Sequence, residues 1–327
     1  MKRVIFALLS VVLICSCDAF RSVTSSDVNS QGAPYELVVV CDYPYWNEGL
    51  GDSLRMVLTE PIPYLQQNEA RFDILRVTSQ GYDNLILKHR NILRTVIDPT
   101  KEVAEADVQY DLYAKPQIVV TISAPTATAL AEYVGKYGEQ VAGIFDMAER
   151  DRDIRYAERF NVESLERQIK EMFGFDMRVP KGYMLRSMGD DFLWASYEYP
   201  TASQGFLIYQ YRAGQGAKAL TQPNLVAARN IFTANIPGPS EGSYMTTFMD
   251  YDPDYRLFKL EGRVWAELRG FWDVANDFMG GPFVSYSTLD IERGMVVTID
   301  CYVFSPKLGK RNFIRGVENL IYTVNLP

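Results

Sequence analysis

The chain contains very little histidine, with His89 as the one example among 327 residues. A single imidazole argues against the usual zinc sites, which need several histidine or cysteine ligands. It also means that a Ser-His-Asp or Cys-His catalytic group would have to use His89. Lys88 and Arg90 flank this residue, and two neighbouring cations disfavour its protonated form and predict a solvated position. We therefore expect a surface or hydrogen-bonded histidine and no catalytic residue.

Motifs for nucleotide and nucleic-acid binding are also missing. No long run of lysine and arginine occurs and the formal net charge is −8, so we expect no nucleic-acid partner.

Gly49-Leu50-Gly51-Asp52 precedes a predicted helix, which is the place for a phosphate loop. A third glycine and a Gly-Lys-Ser sequence are absent, however, and Asp52 would repel a phosphate. We interpret the glycines as a turn before a helix that Asp52 or Ser53 caps, and we predict no cofactor.

Long apolar runs are absent except near the N-terminus. Lys2 and Arg3 precede the apolar residues 4–14, and Ser16 and Cys17 follow them. This run is too short for a spanning helix that stays in the membrane, and it has the layout of a secretory signal peptide. Its end resembles the lipobox of bacterial lipoproteins. The resemblance implies cleavage after Ser16 and diacylation of Cys17, and the alternatives are an ordinary signal peptide or an uncleaved anchor.

Residues 1–16 are therefore predicted to be a lipoprotein signal peptide, and the serine-rich residues 17–33 a flexible tether. Cysteine is scarce beyond this region. Cys41 and Cys301 remain, and an even pair permits a disulfide in an exported protein. Each lies in an apolar, β-branched run, and the two are expected in different domains. We therefore favour two buried, unpaired thiols over a disulfide.

The rest of the chain predicts an α+β protein of two domains. Residues 34–174 are expected to form a mixed α/β domain that opens with an apolar strand over 36–42, buried on both faces. A long helix is predicted after Thr126, and the charged run 149–159 continues it as a solvated face. A further helix ends at Gly174. The other predicted strands cover residues 72–77, 91–98 and 117–123.

Strands dominate residues 175–327, which are expected to form a mainly antiparallel sheet with covering helices. Gly189-Asp190-Asp191 predicts a hairpin turn. The order of elements loosely resembles the sandwich of PsbP-type proteins. The predicted helices cover residues 224–233 and 311–324. The predicted strands cover residues 183–188, 192–199, 205–212, 243–249, 257–268, 284–291 and 294–304.

Several short motifs of the mature chain occur together in a combination that resembles a known family. They are Tyr35-Glu36-Leu37-Val38-Val39-Val40-Cys41-Asp42, Trp46 with Gly51-Asp52-Ser53-Leu54-Arg55, Pro61-Ile62-Pro63, Val179-Pro180-Lys181-Gly182-Tyr183, Ala228-Arg229-Asn230 and Met279-Gly280-Gly281-Pro282-Phe283. With the lipobox, they resemble a family of uncharacterised Gram-negative lipoproteins that is described only as a domain of unknown function. The resemblance covers essentially the whole mature chain. It implies an envelope location and a shared fold, and lipidation at Cys17 is the one functional property carried over.

Aromatic residues are abundant, with 21 Tyr, 17 Phe and 4 Trp. Tyr43, Tyr45 and Trp46 follow directly after the first predicted strand, and ligands of α/β sheets commonly bind beyond the carboxyl ends of strands. Three aromatic residues within four positions are costly to leave exposed without a use. We therefore predict a ligand site at Tyr43, Tyr45 and Trp46. The alternative is that Trp46 packs onto the following helix at Leu54.

Carboxylates also occur at the spacing of a calcium loop. Asp250, Asp252, Asp254 and Glu261 occupy the first, third, fifth and twelfth positions of such a loop. Tyr255 replaces the glycine that makes its sharp turn, and the residues that follow predict a strand. We favour a polar turn and predict no metal ligand, with calcium as the alternative.

The missing triad, zinc motif and nucleotide loop favour a binding or assembly module, lipid-anchored in the cell envelope at the outer membrane. Its expected partners are the membrane, through the lipid, and an envelope protein or glycan. The alternative is an envelope hydrolase that acts on glycan or peptide through carboxylates. The hydrolase predicts two carboxyl groups about 5 to 9 Å apart in a deep cleft, one of them with a raised pKa. The binding module predicts an accessible aromatic surface.

Overall fold

The N-terminal domain is built around a mostly parallel sheet. The computed structural model describes residues 28–214 and 216–326. Strands β1 (Glu36–Val40), β2 (Asp73–Val77), β3 (Asn91–Ile97), β4 (Glu105–Tyr110) and β5 (Ile118–Ala124) form a sheet in the order β2-β1-β3-β5-β4. All pairings are parallel except that of β4 with β5. The helices are α1 (Tyr43–Trp46), α2 (Gly49–Leu58), α3 (Asn84–Leu87) and α4 (Ala127–Arg159).

β1 is buried on both faces, as its unbroken apolar run predicts. Leu37 and Val39 belong to the core that α2 and α4 cover, and Val38 and Val40 to a smaller core on the other face. The sequence pattern does not predict β4. Five of its six residues are exposed, so the strand carries no alternation of apolar and polar residues.

The long helix α4 begins where the sequence predicts it. Thr126 Oγ1 accepts a hydrogen bond of 3.1 Å from the backbone N–H three residues further on. The charged run 149–159 continues the helix, and the predicted solvated face is confirmed for Asp151, Arg155, Glu158 and Arg159, which are exposed, but not for Glu149. Glu149 is 1% exposed and receives hydrogen bonds from Arg90 and Asn91. The carboxylate is buried because groups at the start of β3 pair with it.

The C-terminal domain is an antiparallel sheet of eight strands. They are β6 (Met184–Met188), β7 (Phe192–Glu198), β8 (Ser203–Arg212), β9 (Tyr244–Thr247), β10 (Asp254–Leu260), β11 (Arg263–Ala275), β12 (Gly280–Asp290) and β13 (Met295–Phe304). Their order is β10-β11-β12-β13-β8-β7-β6, and β9 pairs with β11. Helices α5 (Glu163–Phe173) and α7 (Arg311–Glu318) pack on one face and α6 (Gln222–Thr233) on the other. The two sheets confirm the predicted α+β fold.

Two predicted elements of this domain differ from the structure. The strand predicted over 257–268 is wrong, because β10 and β11 are separate antiparallel strands that meet at Glu261 and Gly262. Both residues have a positive φ, 50° and 79°, as a tight turn requires. The helix predicted over 311–324 is α7 followed by a short 3-10 helix, Asn319–Thr323.

The packing divides the two cores between α4 and α5. The sequence places α5 within residues 34–174, but its residues Leu165, Ile169 and Phe173 lie in the core of the C-terminal sheet. These apolar side chains share one face of the helix, and that face covers the larger sheet.

The first described residues, from Val28 onward, contact the N-terminal domain. Of the predicted signal peptide 1–16 and tether 17–33, residues 1–27 lie outside the described residues, and Cys17 with them. Beyond that point, Ser30 N donates to Lys115 O and Gln31 N to Lys88 O, each at 2.9 Å. The described part of the predicted tether is thus bonded to the N-terminal domain. Within residues 28–214 and 216–326, no helix is long and apolar enough to cross a membrane.

Candidate functional site

The predicted ligand residues Tyr43, Tyr45 and Trp46 form the short helix α1 directly after β1. Tyr43 is 61% exposed, whereas Tyr45 and Trp46 are partly buried against the N-terminal core. The Arg76 guanidinium lies 4.9 Å from the centre of the Tyr43 ring, and that of Arg55 lies 4.8 Å from the Trp46 ring. Cations of the protein itself therefore contact two of these rings. None of the three lines the cavity that α4, β7, β8 and α7 enclose where the two domains meet, and their role in binding stays a prediction.

The glycines after α1 permit a close backbone approach. A Cβ atom on Gly51 would lie 1.8 Å from the carbonyl oxygen of Trp46. α2 begins at Gly49, so Asp52 and Ser53 lie inside the helix. The prediction that one of them caps this helix is therefore wrong, and so is the interpretation of the glycines as a turn before it, because Gly49 and Gly51 form its first turn.

His89 is buried, and the prediction of a solvated position is wrong. Its Nδ1 lies 3.1 Å from the backbone oxygen of Asn91, and its Nε2 lies 3.1 Å from Oε1 of Glu36. Both ring nitrogens thus make hydrogen bonds, one to a residue of β3 and one to a residue of β1. This geometry agrees with the predicted hydrogen-bonded histidine.

Cys41 and Cys301 are buried and unpaired, as their apolar surroundings predict. Burial raises the pKa of both thiols. The thiolate is the reactive form of cysteine, so these side chains behave as small apolar core residues.

The carboxylates of the possible calcium loop do not converge. Asp254 begins β10 and Glu261 follows its last residue, so a strand of seven residues separates them. An extended strand of that length spans roughly 20 Å, which is far more than the diameter of a calcium site. In the part of the chain that the structure describes, no group of three or more His, Cys, Asp or Glu side chains is placed to hold a metal ion.

A half-open cavity of about 280 Å³ lies where the two domains meet. Its lining comes from α4, from the segment before β6, from β7 and β8, and from α7 with the 3-10 helix that follows it. The volume is near the lower limit of about 300 to 1,000 Å³ for small-molecule sites. We take this cavity as the candidate functional site because it combines several aromatic rings with a partly buried carboxyl group.

One side of the cavity is a row of four rings, Tyr183, Tyr197, Tyr199 and Phe313, which we call the aromatic wall. Tyr197 and Tyr199 stack with ring centres 4.3 Å apart and planes 21° apart. Tyr183 meets Tyr197 edge-on at 5.9 Å, and Phe313 meets Tyr199 edge-on at 5.1 Å. Gly182, with a φ of 109°, leaves room for this row, because a Cβ atom there would lie 2.6 Å from the Tyr197 ring.

The polar part of the lining centres on Asp153 of α4. Asn319 Nδ2 donates a hydrogen bond of 2.7 Å to Oδ2 of Asp153. Burial raises the pKa of Asp153 from 3.8 to about 6, although the bond from Asn319 opposes the rise. Gln204 Nε2 donates to the Tyr183 hydroxyl at 2.9 Å. Among the described lining residues, Asp153 is the one acid and Lys181 the one base, so the cavity has almost no net charge.

Charged contacts hold α7, which carries Phe313, against the N-terminal domain. The Glu69 carboxylate accepts bonds of 2.7 and 2.9 Å from the backbone N–H groups of residues 310 and 311, at the start of α7. Arg311 also forms an ion pair of 2.6 Å with Asp73. These contacts cross between the two domains and keep the two sides of the cavity in register.

The sequence did not reveal this cavity, because its parts are distant along the chain. Asp153, Tyr183 and Phe313 come from three separate segments that meet only when α7 reaches the N-terminal domain. One signal was available: Tyr197 and Tyr199 alternate at the end of a predicted strand, which places both rings on one face. Alternation alone does not show whether that face is solvent, core or cavity.

Family models match two adjacent parts of the chain. Residues 162–323 match a domain of unknown function (DUF4837), and residues 30–158 match a second domain of unknown function (DUF8532). Each model matches less than half of the chain, and together they cover most of it. The break between the matched segments lies at the end of α4, where the packing also divides the two cores. No curated protein matches the sequence.

The similar solved structures are distant. The Ran-binding protein Mog1p of Saccharomyces cerevisiae aligns with a TM-score of 0.29 and 8% identity, over 46% of this chain and 89% of that one. The lipid transfer and protein localization domain of human StarD13 (DLC2) aligns with a TM-score of 0.16 and 11% identity, over 49% and 90% of the two chains. Similarity at this level supports no conclusion about fold or function.

Proposed function

We propose that this protein is a binding module of the cell envelope, held at the outer membrane by a lipid on Cys17, with its ligand site in the cavity between the domains. The observation that carries the binding role is the aromatic wall beside the partly buried Asp153. Ligand sites occur preferentially at domain interfaces, and they combine apolar and aromatic surface with a few fixed polar groups.

The energetics of Asp153 support a functional role for the cavity. Its raised pKa means that the folded protein holds the ionised carboxylate in an unfavourable environment. A purely structural junction would be at least as stable with a well-packed apolar residue at this position. Titratable groups with strongly shifted pKa values are concentrated at functional sites.

The cavity does not favour the hydrolase alternative. Glu149 is the carboxylate that acts on Asp153 electrostatically, and it is almost fully buried between Arg90 and Arg152. It does not line the cavity. A hydrolase of the two-carboxylate type needs both groups to face the substrate. Asp153 has the raised pKa that such a hydrolase predicts, but no second carboxyl group belongs to the described lining of the cavity, so the arrangement supports binding rather than bond cleavage.

The N-terminal sequence supports the membrane anchor. Cell fractionation combined with mass spectrometry tests it. We expect the wild type in the membrane fraction with the added mass of acyl chains, and Cys17→Ala in the soluble fraction without that mass. Cys41→Ala is the matched control, because its buried thiol has no role in anchoring. A wild-type protein of unmodified mass would refute lipidation, and a Cys17→Ala protein that stays in the membrane fraction would refute the lipid as the anchor.

Ligand-observed NMR on the purified full chain tests the binding role. The probes are short saccharides, dipeptides and phosphocholine. At least one is expected to bind the wild type and to lose its signal with Tyr199→Ala. Tyr110→Ala on β4 is the control, since Tyr110 is 69% exposed and does not line the cavity. Binding that survives Tyr199→Ala would contradict the assignment of the site, and the absence of any binding would contradict the function.

A further inference from the structure

The aromatic wall supplies apolar surface and hydroxyl groups side by side. Tyrosine is amphipathic, so a tyrosine row can contact C–H groups with its rings and hydroxyl groups with its phenols. Tyr197 and Tyr199 are partly exposed, which keeps this surface accessible. Burial raises the pKa of Tyr199 to about 12, so its phenol is a neutral hydrogen-bond donor at physiological pH. A suitable ligand carries C–H and O–H groups close together.

The polar groups of the lining are mostly neutral and have both donor and acceptor atoms. Asn312, Asn319 and Gln204 contribute side-chain amides, and Thr323 contributes a hydroxyl. An amide can donate two hydrogen bonds and accept two, and a hydroxyl can do both as well. Such groups match ligand hydroxyls, which also donate and accept. A carboxylate such as Asp153 adds a strong acceptor for O–H donors.

The charge of the lining disfavours ionic ligands. Phosphate sites typically supply guanidinium groups, clustered ammonium groups or a run of backbone N–H groups, and Lys181 is the one cation among the described residues of the lining. A cage for an organic cation also uses aromatic rings, but Lys181 would repel such a ligand. The near cancellation of charge between Asp153 and Lys181 therefore favours a neutral molecule.

The size of the cavity limits how much of a ligand it can hold. A volume of about 280 Å³ fits one or two rings rather than an extended chain. Because the cavity is half-open to solvent, the rest of a longer ligand can remain outside. A terminal residue of a polymer therefore fits this geometry as well as a free small molecule does.

We propose that the cavity binds a sugar residue of a neutral saccharide, with the aromatic wall against its C–H face and with Asp153, Asn319 and Gln204 at its hydroxyls. This inference rests on the proposed role of the cavity as a ligand site. Nucleic-acid bases stacked on an aromatic side chain lose about tenfold or more in binding when that side chain becomes alanine, and we use this loss as the analogy for a sugar ring. Tyr199→Ala should therefore weaken binding about tenfold or more.

Isothermal titration of the full chain tests the saccharide. The probes are maltotriose, cellotriose, mannotriose and N,N′,N″-triacetylchitotriose, with tetramethylammonium, D-Ala-D-Ala and inorganic phosphate as competitors of other chemistry. We expect at least one trisaccharide to bind, and the wild-type affinity to fall about tenfold in Tyr199→Ala. Tyr199→Phe, which keeps the ring, should lose less. Asp153→Asn should weaken binding without loss of the fold, and Tyr110→Ala should leave it unchanged.

The outcomes distinguish an error in the proposed ligand class from an error in the proposed function. Binding of tetramethylammonium, the dipeptide or phosphate, lost in Tyr199→Ala and without any trisaccharide binding, would overturn the saccharide and keep the cavity as a ligand site. Trisaccharide binding that is insensitive to both Tyr199→Ala and Asp153→Asn would overturn the proposed position of the sugar. If no probe binds, the saccharide is refuted, and a negative NMR screen would then refute the ligand site itself.

Discussion

Asp153→Asn is expected to make the folded protein more stable at neutral pH. Burial raises the pKa of Asp153 from 3.8 to about 6. Each pH unit of such a difference corresponds to about 1.4 kcal/mol, so the ionised carboxylate costs the folded state up to about 3 kcal/mol. Asparagine has nearly the same shape and no charge, and its oxygen can accept the existing hydrogen bond from Asn319. The substitution should therefore remove most of this cost.

The gain in stability from Asp153→Asn must increase with pH. A carboxyl whose pKa is raised in the folded state binds its proton more tightly there than in the unfolded chain. Its cost is absent below the unfolded pKa near 4, grows as the pH rises toward 6, and is constant above that. The advantage of Asp153→Asn over the wild type should thus increase by up to about 3 kcal/mol between pH 4 and pH 7.5.

Urea denaturation followed by circular dichroism at several pH values measures this difference. Asp151→Asn is the matched control, because Asp151 lies on the same helix with an exposed side chain. Its removal should change the pH dependence little. An advantage of Asp153→Asn that is equal at low and neutral pH, or a variant that is less stable at pH 7.5, would refute the reasoning.

Two further predictions concern the packing of each domain. Arg229 and Asp300 form a fully buried ion pair with a distance of 2.8 Å between Nε and Oδ2. Arg229→Ala should lower the unfolding free energy by about 3 to 5 kcal/mol in urea denaturation, because an unpaired buried carboxylate remains, and a loss below about 1 kcal/mol would contradict this. Gly51→Ala should destabilise by at least about 2 kcal/mol, since its Cβ would lie 1.8 Å from the Trp46 oxygen. Gly49→Ala in the same helix meets nothing within 4 Å and should not destabilise; equal melting temperatures for the two variants would refute the close contact.

The elements that the sequence predicts well are those with a strong apolar pattern. β1 carries an unbroken apolar run and α4 has both a capping threonine and apolar residues at helical spacing, so their burial determines their structure. β4 has an exposed pattern at a sheet edge, and the turn at Glu261 and Gly262 interrupts a continuous strand-like composition. Such elements depend on a neighbouring strand rather than on their own residues.

Sequence patterns also do not predict the burial of His89 and Glu149. His89 and Glu149 stand among charged neighbours, a pattern that is typical of solvated segments. In the structure, their partners Glu36 and Arg90 come from other elements, so these polar contacts form only with the tertiary fold. The cavity has the same origin, because α7 must dock on the N-terminal domain before Phe313 can complete the aromatic wall.

NMR of the full chain with isotope-labelled tyrosine rings tests most directly where ligands bind. The chain is titrated with the compound that binds best in the ligand screen, and the ring resonances are assigned by single Tyr→Phe variants. Ligand binding in the cavity predicts shifts at Tyr183, Tyr197 and Tyr199, with Tyr43 and Tyr45 unchanged. Shifts at Tyr43 and Tyr45 without any at the aromatic wall would contradict the proposed site and favour the segment after β1.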